Sequence, residues 1–107
     1  MIEHFILNDK REVVSVPDLI EWAKWFEGGG RVARIVKQEQ VGKYWISTVF
    51  LALDHSFGRG EPILWETLVF LDQICGEEVH GDRCSGSWGD AQKMHADTVA
   101  LVKGWPQ

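Results

Sequence analysis

The sequence predicts an α+β fold, with a mostly antiparallel β-sheet of four to six strands and two helices packed on one face. Three observations predict this fold. Two aromatic and β-branched runs, Trp45–Phe57 and Pro62–Phe70, flank the glycine-rich turn Gly58–Gly60, which is the pattern of an antiparallel hairpin. Amphipathic helical patterns lie before and after this hairpin. The length of 107 residues fits a single domain spanning residues 1–107.

The segment before the central hairpin predicts a short hairpin, a helix and an edge strand. Residues 2–7 and 12–16 flank a polar turn, which favours two short strands. Ser15 is the expected N-cap of the helix, and Gly28–Gly30 are expected to end it. Residues 31–39 alternate with charged side chains, as an edge strand does. The apolar stripe of the helix recurs at helical spacing through Leu19, Trp22, Ala23 and Phe26.

The two central runs predict long strands at residues 43–53 and 63–70. Both faces of the first strand are partly apolar, with Tyr44, Ile46, Thr48 and Phe50 on one side and Trp45, Ser47, Val49 and Leu51 on the other. We therefore expect one face to carry the helices, while the other is half covered or meets a partner. Residues 78–83 favour a short final strand.

Residues 88–103 predict a closing helix that ends at Gly104. Its apolar stripe comprises Trp88, Ala91, His95, Thr98, Val99 and Val102, widened by Met94 and Leu101.

The formal charge of −5 is unevenly distributed. Residues 1–50 carry equal numbers of acids and bases, so the excess negative charge lies in residues 51–107. An acidic half repels the phosphate backbone, which argues against direct nucleic-acid binding. The charge indicates either a solvated surface or a face that docks on a basic groove of another protein.

The composition also bears on the compartment. No apolar run approaches the length of a membrane span, and the first residues lack the pattern of a secretory signal. We therefore expect a cytoplasmic protein that makes no membrane contact. In a reducing compartment, Cys75 and Cys84 are expected to be thiols, with a disulfide as the alternative.

One candidate catalytic set is Asp54, His55 and Glu66. Asp54 and His55 follow a strand and precede a glycine-rich turn, and an imidazole oriented by a carboxylate is a general acid or base. In the structural alternative, Asp54 caps the turn and His55 pairs with Glu66 across the hairpin.

A second set, Cys75, His80, Cys84 and His95, contains the ligand types that zinc prefers. The spacing of these residues matches no familiar zinc motif. We therefore expect no cofactor, with a zinc site as the alternative. In the structural alternative, His95 is a hydrogen-bonded histidine on the core stripe of the closing helix, and the cysteines are buried or loop residues.

Six tryptophans are many for so short a chain. Most are expected in the core, but Trp25 and Trp105 are candidate surface anchors for a partner. The acidic residues expected to contact the same partner are Glu61, Asp72, Glu77, Glu78 and Asp82.

The central segment resembles a group of small uncharacterised proteins from bacteriophages and prophages. Residues 47–57 and 62–70 read STVFLALDHSF and PILWETLVF, and the group shares STVFLGLDH, a glycine-rich turn and P-x-LFET-x-VF. The first helix, the strand after it and the closing helix with His95 are also similar. The chain departs from the group at Ala52, at Trp65 and in the cysteine-bearing segment 72–88. The resemblance implies a phage origin and the bacterial cytosol, but no activity.

Together these patterns predict a non-enzymatic phage accessory protein that binds a host protein, for example an inhibitor of a host enzyme or of a CRISPR-type defence complex. The alternative from another class is a small hydrolytic or metal-dependent enzyme that uses one of the two sets above. The edge strand at residues 31–39 would also permit a homodimer formed by sheet extension.

Overall fold

A computed structural model describes residues 3–72 and 76–107 and confirms the α+β fold. In these residues the chain forms six strands and three helices. In chain order they are β1 (Phe5–Leu7), β2 (Val13–Ser15), α1 (Leu19–Glu27), α2 (Gly30–Ala33), β3 (Ile35–Val41), β4 (Tyr44–Phe50), β5 (Trp65–Leu71), β6 (Glu77–Cys84) and α3 (Trp88–Lys103).

The main sheet has the strand order β3-β4-β5-β6, and every neighbouring pair is antiparallel. The two-residue turn Gly42-Lys43 joins β3 to β4. Gly42 has a φ of +59°, a conformation that hairpin turns of this length require and that glycine adopts without strain. Strands β1 and β2 form a separate two-stranded sheet.

The core lies on one face of the main sheet. Strand β4 alternates as predicted, because Tyr44, Ile46, Thr48 and Phe50 are buried while the residues between them are only partly so. Helix α3 crosses this face and contacts all four strands. One core cluster surrounds Phe50 and Trp65 and includes the first hairpin, and a second surrounds Ile46 and Val102.

Helix α3 has the predicted bounds because both of its ends are specified by sequence. The Ser87 hydroxyl accepts a hydrogen bond from the Asp90 backbone N–H, and the Asp90 carboxylate accepts one from the Ser87 N–H. This reciprocal cap satisfies two otherwise unpaired donors of the first turn. Leu101, however, is 47% exposed, so the predicted widening of the apolar stripe is wrong at that position.

Two predictions for α1 are wrong. Its N-cap is Asp18 and not Ser15, since the Asp18 carboxylate accepts hydrogen bonds from the Ile20 and Glu21 N–H groups. Leu19 is 58% exposed and lies outside the core, because only the later turns of this nine-residue helix reach the first hairpin.

The predicted edge strand at residues 31–39 begins too early. Residues 30–33 form the short helix α2, and the strand runs from Ile35 to Val41. The backbone of this segment makes helical hydrogen bonds, from the Ala33 N–H to the Gly29 carbonyl and from the Arg34 N–H to the Gly30 carbonyl. Gly30 also packs closely on Trp25, where an added Cβ would lie 2.8 Å from Cδ2 of the indole.

The connection between β4 and β5 is longer than the predicted turn, spanning residues 51–64. It leaves the main sheet because the first hairpin pairs with it: the Phe5 N–H donates to the Ala52 carbonyl, and His4 pairs with Leu53. Among the helices of the described residues, none combines the length and apolar character needed to cross a membrane.

Candidate functional site

The second face of the main sheet is built by the alternate residues of the two central strands. Strand register places Trp45 beside Phe70, Ser47 beside Leu68 and Val49 beside Glu66. Because side chains alternate along a strand, all of these point away from the core cluster. We call this surface the open face, and define it by Trp45, Ser47, Val49, Glu66, Leu68 and Phe70.

No helix of the described residues covers the open face. Helix α3 packs on the opposite side, where Ile46, Thr48 and Trp65 have no exposed surface. Every residue of the open face, by contrast, keeps an intermediate exposure. A contiguous group of four large apolar side chains that is left partly in water is typical of an interaction surface. These side chains are Trp45, Val49, Leu68 and Phe70.

Polar groups border the open face on both sides. On the β3 side, the Gln38 amide donates a hydrogen bond of 2.9 Å to the Ser47 hydroxyl. On the β6 side, Arg83 donates to Glu66 at 2.7 Å. Glu66, which interrupts the apolar run of β5, is therefore paired with Arg83 on the open face.

The predicted acidic contacts fall into two places. Glu77, Glu78 and Asp82 are exposed on β6, which is an edge strand, and Asp72 is exposed directly after β5. Register puts Glu78 beside Phe70, next to the apolar group. These four acids form what we call the acidic edge.

The fifth predicted acid, Glu61, lies in the connection between β4 and β5. Its carboxylate accepts a hydrogen bond of 3.1 Å from the Ser85 hydroxyl. Ser85 directly follows β6 at its C-terminal end, whereas Glu77 and Glu78 begin that strand. Glu61 is therefore not part of the acidic edge.

Trp25 and Trp105 are not freely exposed anchors. Trp25 packs edge-to-face on Phe50, with ring centroids 6.2 Å apart, and Trp105 packs in the same way on Tyr44 at 5.2 Å. Both indoles are partly buried against the core clusters. Trp45 and Phe70 on the open face are likewise partly exposed, and Phe57, in the connection between β4 and β5, is 69% exposed.

A buried polar network joins α3 to the main sheet. The His95 imidazole lies between the Thr48 hydroxyl, 2.6 Å from Nδ1, and the Glu39 carboxylate, 2.7 Å from Nε2. The Thr48 hydroxyl also lies 2.6 Å from that of Thr67. If Nε2–H donates to Glu39, then Nδ1 accepts from Thr48 and Thr48 accepts from Thr67, so every group is paired. The hydrogen bond from His95 holds the pKa of Glu39 below its usual range.

The order of hydroxyl, imidazole and carboxylate in this network resembles that of hydrolytic triads. Thr48 and Thr67, however, have no exposed surface, and His95 is 2% exposed. A nucleophile that no substrate can reach does no chemistry, so the network fixes the position of α3 on the sheet. His95 is thus a hydrogen-bonded histidine on the core stripe of the helix. Its partners were not predicted, although hydroxyls at two inward positions of apolar strands were a signal for them.

The structure does not assemble Asp54, His55 and Glu66 into a catalytic set. The buried Asp54 carboxylate accepts hydrogen bonds from the Ser56 N–H, the Ser56 hydroxyl and the Ile63 N–H. The Ser56 backbone bond is the largest cause that lowers the pKa of Asp54. Asp54 therefore organises the connection between β4 and β5.

The predicted pairing of His55 with Glu66 is wrong. The Nδ1 atom of His55 lies 2.8 Å from the Leu53 carbonyl, and Glu66 is paired with Arg83 on the open face. Both side chains already have local partners, and neither is directed at the other.

The described members of the predicted zinc set have different surroundings. His80 packs edge-to-face on Trp105, Cys84 packs against the first core cluster, and His95 belongs to the buried network. His80 and Cys84 are four residues apart on one strand, about 13 Å along it, too far to share a zinc ion. Cys75 lies outside the described residues.

In the described part of the chain, no group of three or more histidine, cysteine, aspartate and glutamate side chains is placed to hold a metal ion. Cys84 is a free thiol, and burial raises its pKa.

No family model, curated protein or solved structure matches this chain. The resemblance to phage proteins stays a prediction.

Proposed function

We propose that the protein is a non-enzymatic binding module whose open face, together with the acidic edge, docks on an apolar and basic surface of another protein. The observation that carries this proposal is the apolar group of the open face, which no described helix covers. The side chains that could act in catalysis also support the binding role, because Thr48, His95 and Asp54 are buried and engaged in structural hydrogen bonds.

The charges favour a protein partner with basic residues at the margin of its interface. Glu78 lies beside Phe70 on the open face, whereas Glu77 lies beside Leu71 and Asp82 beside Thr67, so these two add negative charge to the same sheet edge from its other face. The Arg83 guanidinium is already neutralised by Glu66. A nucleic acid would meet net negative charge there, whereas a basic protein surface would be attracted and oriented.

In the setting that the phage resemblance implies, this partner is a host protein, such as an enzyme or a complex that defends the bacterium against phages. Binding that covers an active or assembly surface of that protein would inhibit it without chemistry by the phage protein.

The test compares matched variants as baits in a bacterial lysate, with quantitative mass spectrometry of the retained proteins. Trp45→Ser with Phe70→Ser removes the centre of the open face, and Glu77→Lys with Glu78→Lys reverses the acidic edge. Leu101→Ser is the control for exposed apolar surface, and Glu21→Lys with Glu27→Lys is the control for charge, because these residues lie on α3 and α1.

We expect at least one protein to be retained by the wild type and by both controls and lost with both test variants. The same two variants should lose any inhibition of host defence in a plaque assay. Retention of every partner by the open-face variant, with an unchanged plaque phenotype, would contradict the proposal.

A further inference from the structure

A groove of about 600 Å³ lies between the turn of the first hairpin, helix α2 and the start of α3. Its volume is within the range of small-molecule sites in proteins, roughly 300–1,000 Å³. Two indoles line it, Trp25 from α1 and Trp88 from α3. The groove thus offers flat apolar surfaces for a planar ligand.

The indole of Trp25 is held in a fixed position. It packs edge-to-face on Phe50 and lies against the backbone of Gly30, where no side chain fits. Trp88 is held in a similar way by an edge-to-face contact with Trp65, with ring centroids 6.0 Å apart. Little ordering of these side chains is therefore needed when a ligand binds.

Arg11 supplies an uncommitted cation. Its guanidinium carbon lies 4.5 Å from the centroid of the Trp88 ring, and its side chain has no hydrogen bond or ion pair with any described residue. Arginine presents five N–H donors in one plane, and stacking on an aromatic ring leaves those donors free at the edge. Such a fork matches a carboxylate or phosphate.

The hairpin turn fixes the position of Arg11. Its φ is +62°, a conformation set by the turn, in which the Arg11 N–H donates to the Asn8 carbonyl and the Asn8 side-chain oxygen accepts from the N–H groups of Lys10 and Glu12.

Among the described residues that line the groove, Arg11 is the single base. Arg31 in α2 and Arg34 directly after it do not line the groove. Among the described residues that line the groove, Asp9 is the single acid.

We propose that this groove binds a small planar anion, a ring that carries a phosphate or carboxylate, such as a mononucleotide. The ring would pack against Trp25, and the anionic group would accept hydrogen bonds from Arg11. The proposal does not depend on the proposed docking of the open face.

Gly29 gives a way to close the groove without disturbing the fold. It lines the groove, its φ is −61°, and a Cβ added there meets no atom within 4 Å. Gly29→Leu should therefore fill the groove while the melting temperature stays unchanged or rises, because replacing a glycine at a compatible φ reduces the freedom of the unfolded chain.

The experiment titrates the ¹⁵N-labelled protein with AMP, GMP, UMP and indole-3-acetate, and follows the indole N–H signals by NMR. We expect saturable shifts of Trp25 and Trp88 with at least one of these anions, and no shift of Trp45. Adenosine and inorganic phosphate alone should bind more weakly. Arg11→Gln should weaken binding tenfold or more, since one charge-assisted contact is lost. Gly29→Leu should abolish it.

Arg59→Gln is the matched control, since it removes one exposed arginine from the connection between β4 and β5, which does not line the groove. If Arg59→Gln weakened anion binding as much as Arg11→Gln does, the loss of one positive charge would explain the effect, and the proposal would be overturned. Unchanged anion binding by Gly29→Leu would also overturn the proposal. If Arg11→Gln does not fold, the binding measured with Gly29→Leu is the test. The proposal is also wrong if none of the four anions shifts either indole, or if an acidic peptide alone does so.

Discussion

The two faces of the main sheet are built from the same strands and carry equally large side chains, yet they differ in what lies over them. On the covered face, Trp65 has no exposed surface and packs against Phe50 and Trp88. On the open face, Trp45 and Phe70 stand side by side with no described helix above them. Apolar alternation alone therefore does not separate core from interface, and the difference lies in the elements that the rest of the chain supplies.

The largest expected difference between the faces is at the paired tryptophans. Trp65→Ala should lower the free energy of unfolding by about 3–5 kcal/mol, because it removes a buried ring and the hydrogen bond from its indole to the Gly86 carbonyl. Trp45→Ala should cost about 1 kcal/mol or less, since that ring is already partly in water. Urea denaturation of both variants measures the contrast. Equal losses in the free energy of unfolding for Trp45→Ala and Trp65→Ala would mean that the open face is covered.

The second contrast uses adjacent positions of β4. Thr48→Val should destabilise the protein by about 1–3 kcal/mol, because it leaves His95 Nδ1 and the Thr67 hydroxyl without their partner in a buried place. Ser47→Ala on the open face should stay within about 0.5 kcal/mol. If Thr48→Val were as stable as the wild type, the structural role proposed for the hydrogen-bond network around His95 would be contradicted.

The third and smallest effect depends on pH. The pKa of Glu39 is lowered in the folded state, first by the hydrogen bond from His95. Folding is therefore favoured by its ionised form, and this contribution is present above the unfolded pKa and lost as the pH falls through the lower folded pKa. We expect the stability gap between the wild type and Glu39→Gln to shrink below about pH 4.5. Chemical denaturation across that range measures it.

A charge control separates this effect from general acid denaturation. Glu21→Gln removes an exposed carboxylate on α1 that has no imidazole partner. Its stability gap to the wild type should change less with pH than that of Glu39→Gln. Parallel curves for the two variants would contradict the role of the His95–Glu39 hydrogen bond.

Sequence patterns predicted the parts of the fold that depend on local signals. The central strands, the final strand and α3 follow from alternation, helical spacing and the stop at Gly104. The early start assigned to β3 was wrong because residues 30–33 form the short helix α2 although their side chains alternate as in a strand. The length of the connection after β4 was missed because the first hairpin pairs with it, a tertiary contact with no local signal.

The candidate site was predictable only in outline. Two apolar faces on β4 indicated either half coverage or a partner, and Glu77, Glu78 and Asp82 are exposed on the edge strand β6. Trp25 and Trp105 are partly buried against the core clusters, which depends on tertiary packing that local patterns do not reveal, and their contact with a partner stays a prediction. The grouping of Glu39 with His95 joins residues 56 positions apart, which spacing does not reveal.

The most direct test of the open face is the access of solvent to individual indole groups. A soluble paramagnetic probe broadens the NMR signals of exposed N–H groups, and the indole signals can be assigned with single Trp→Phe variants. We predict strong broadening for Trp45 and little for Trp65, whose N–H is bonded to the Gly86 carbonyl beneath α3. Equal protection of Trp45 and Trp65 would contradict an open face on this sheet.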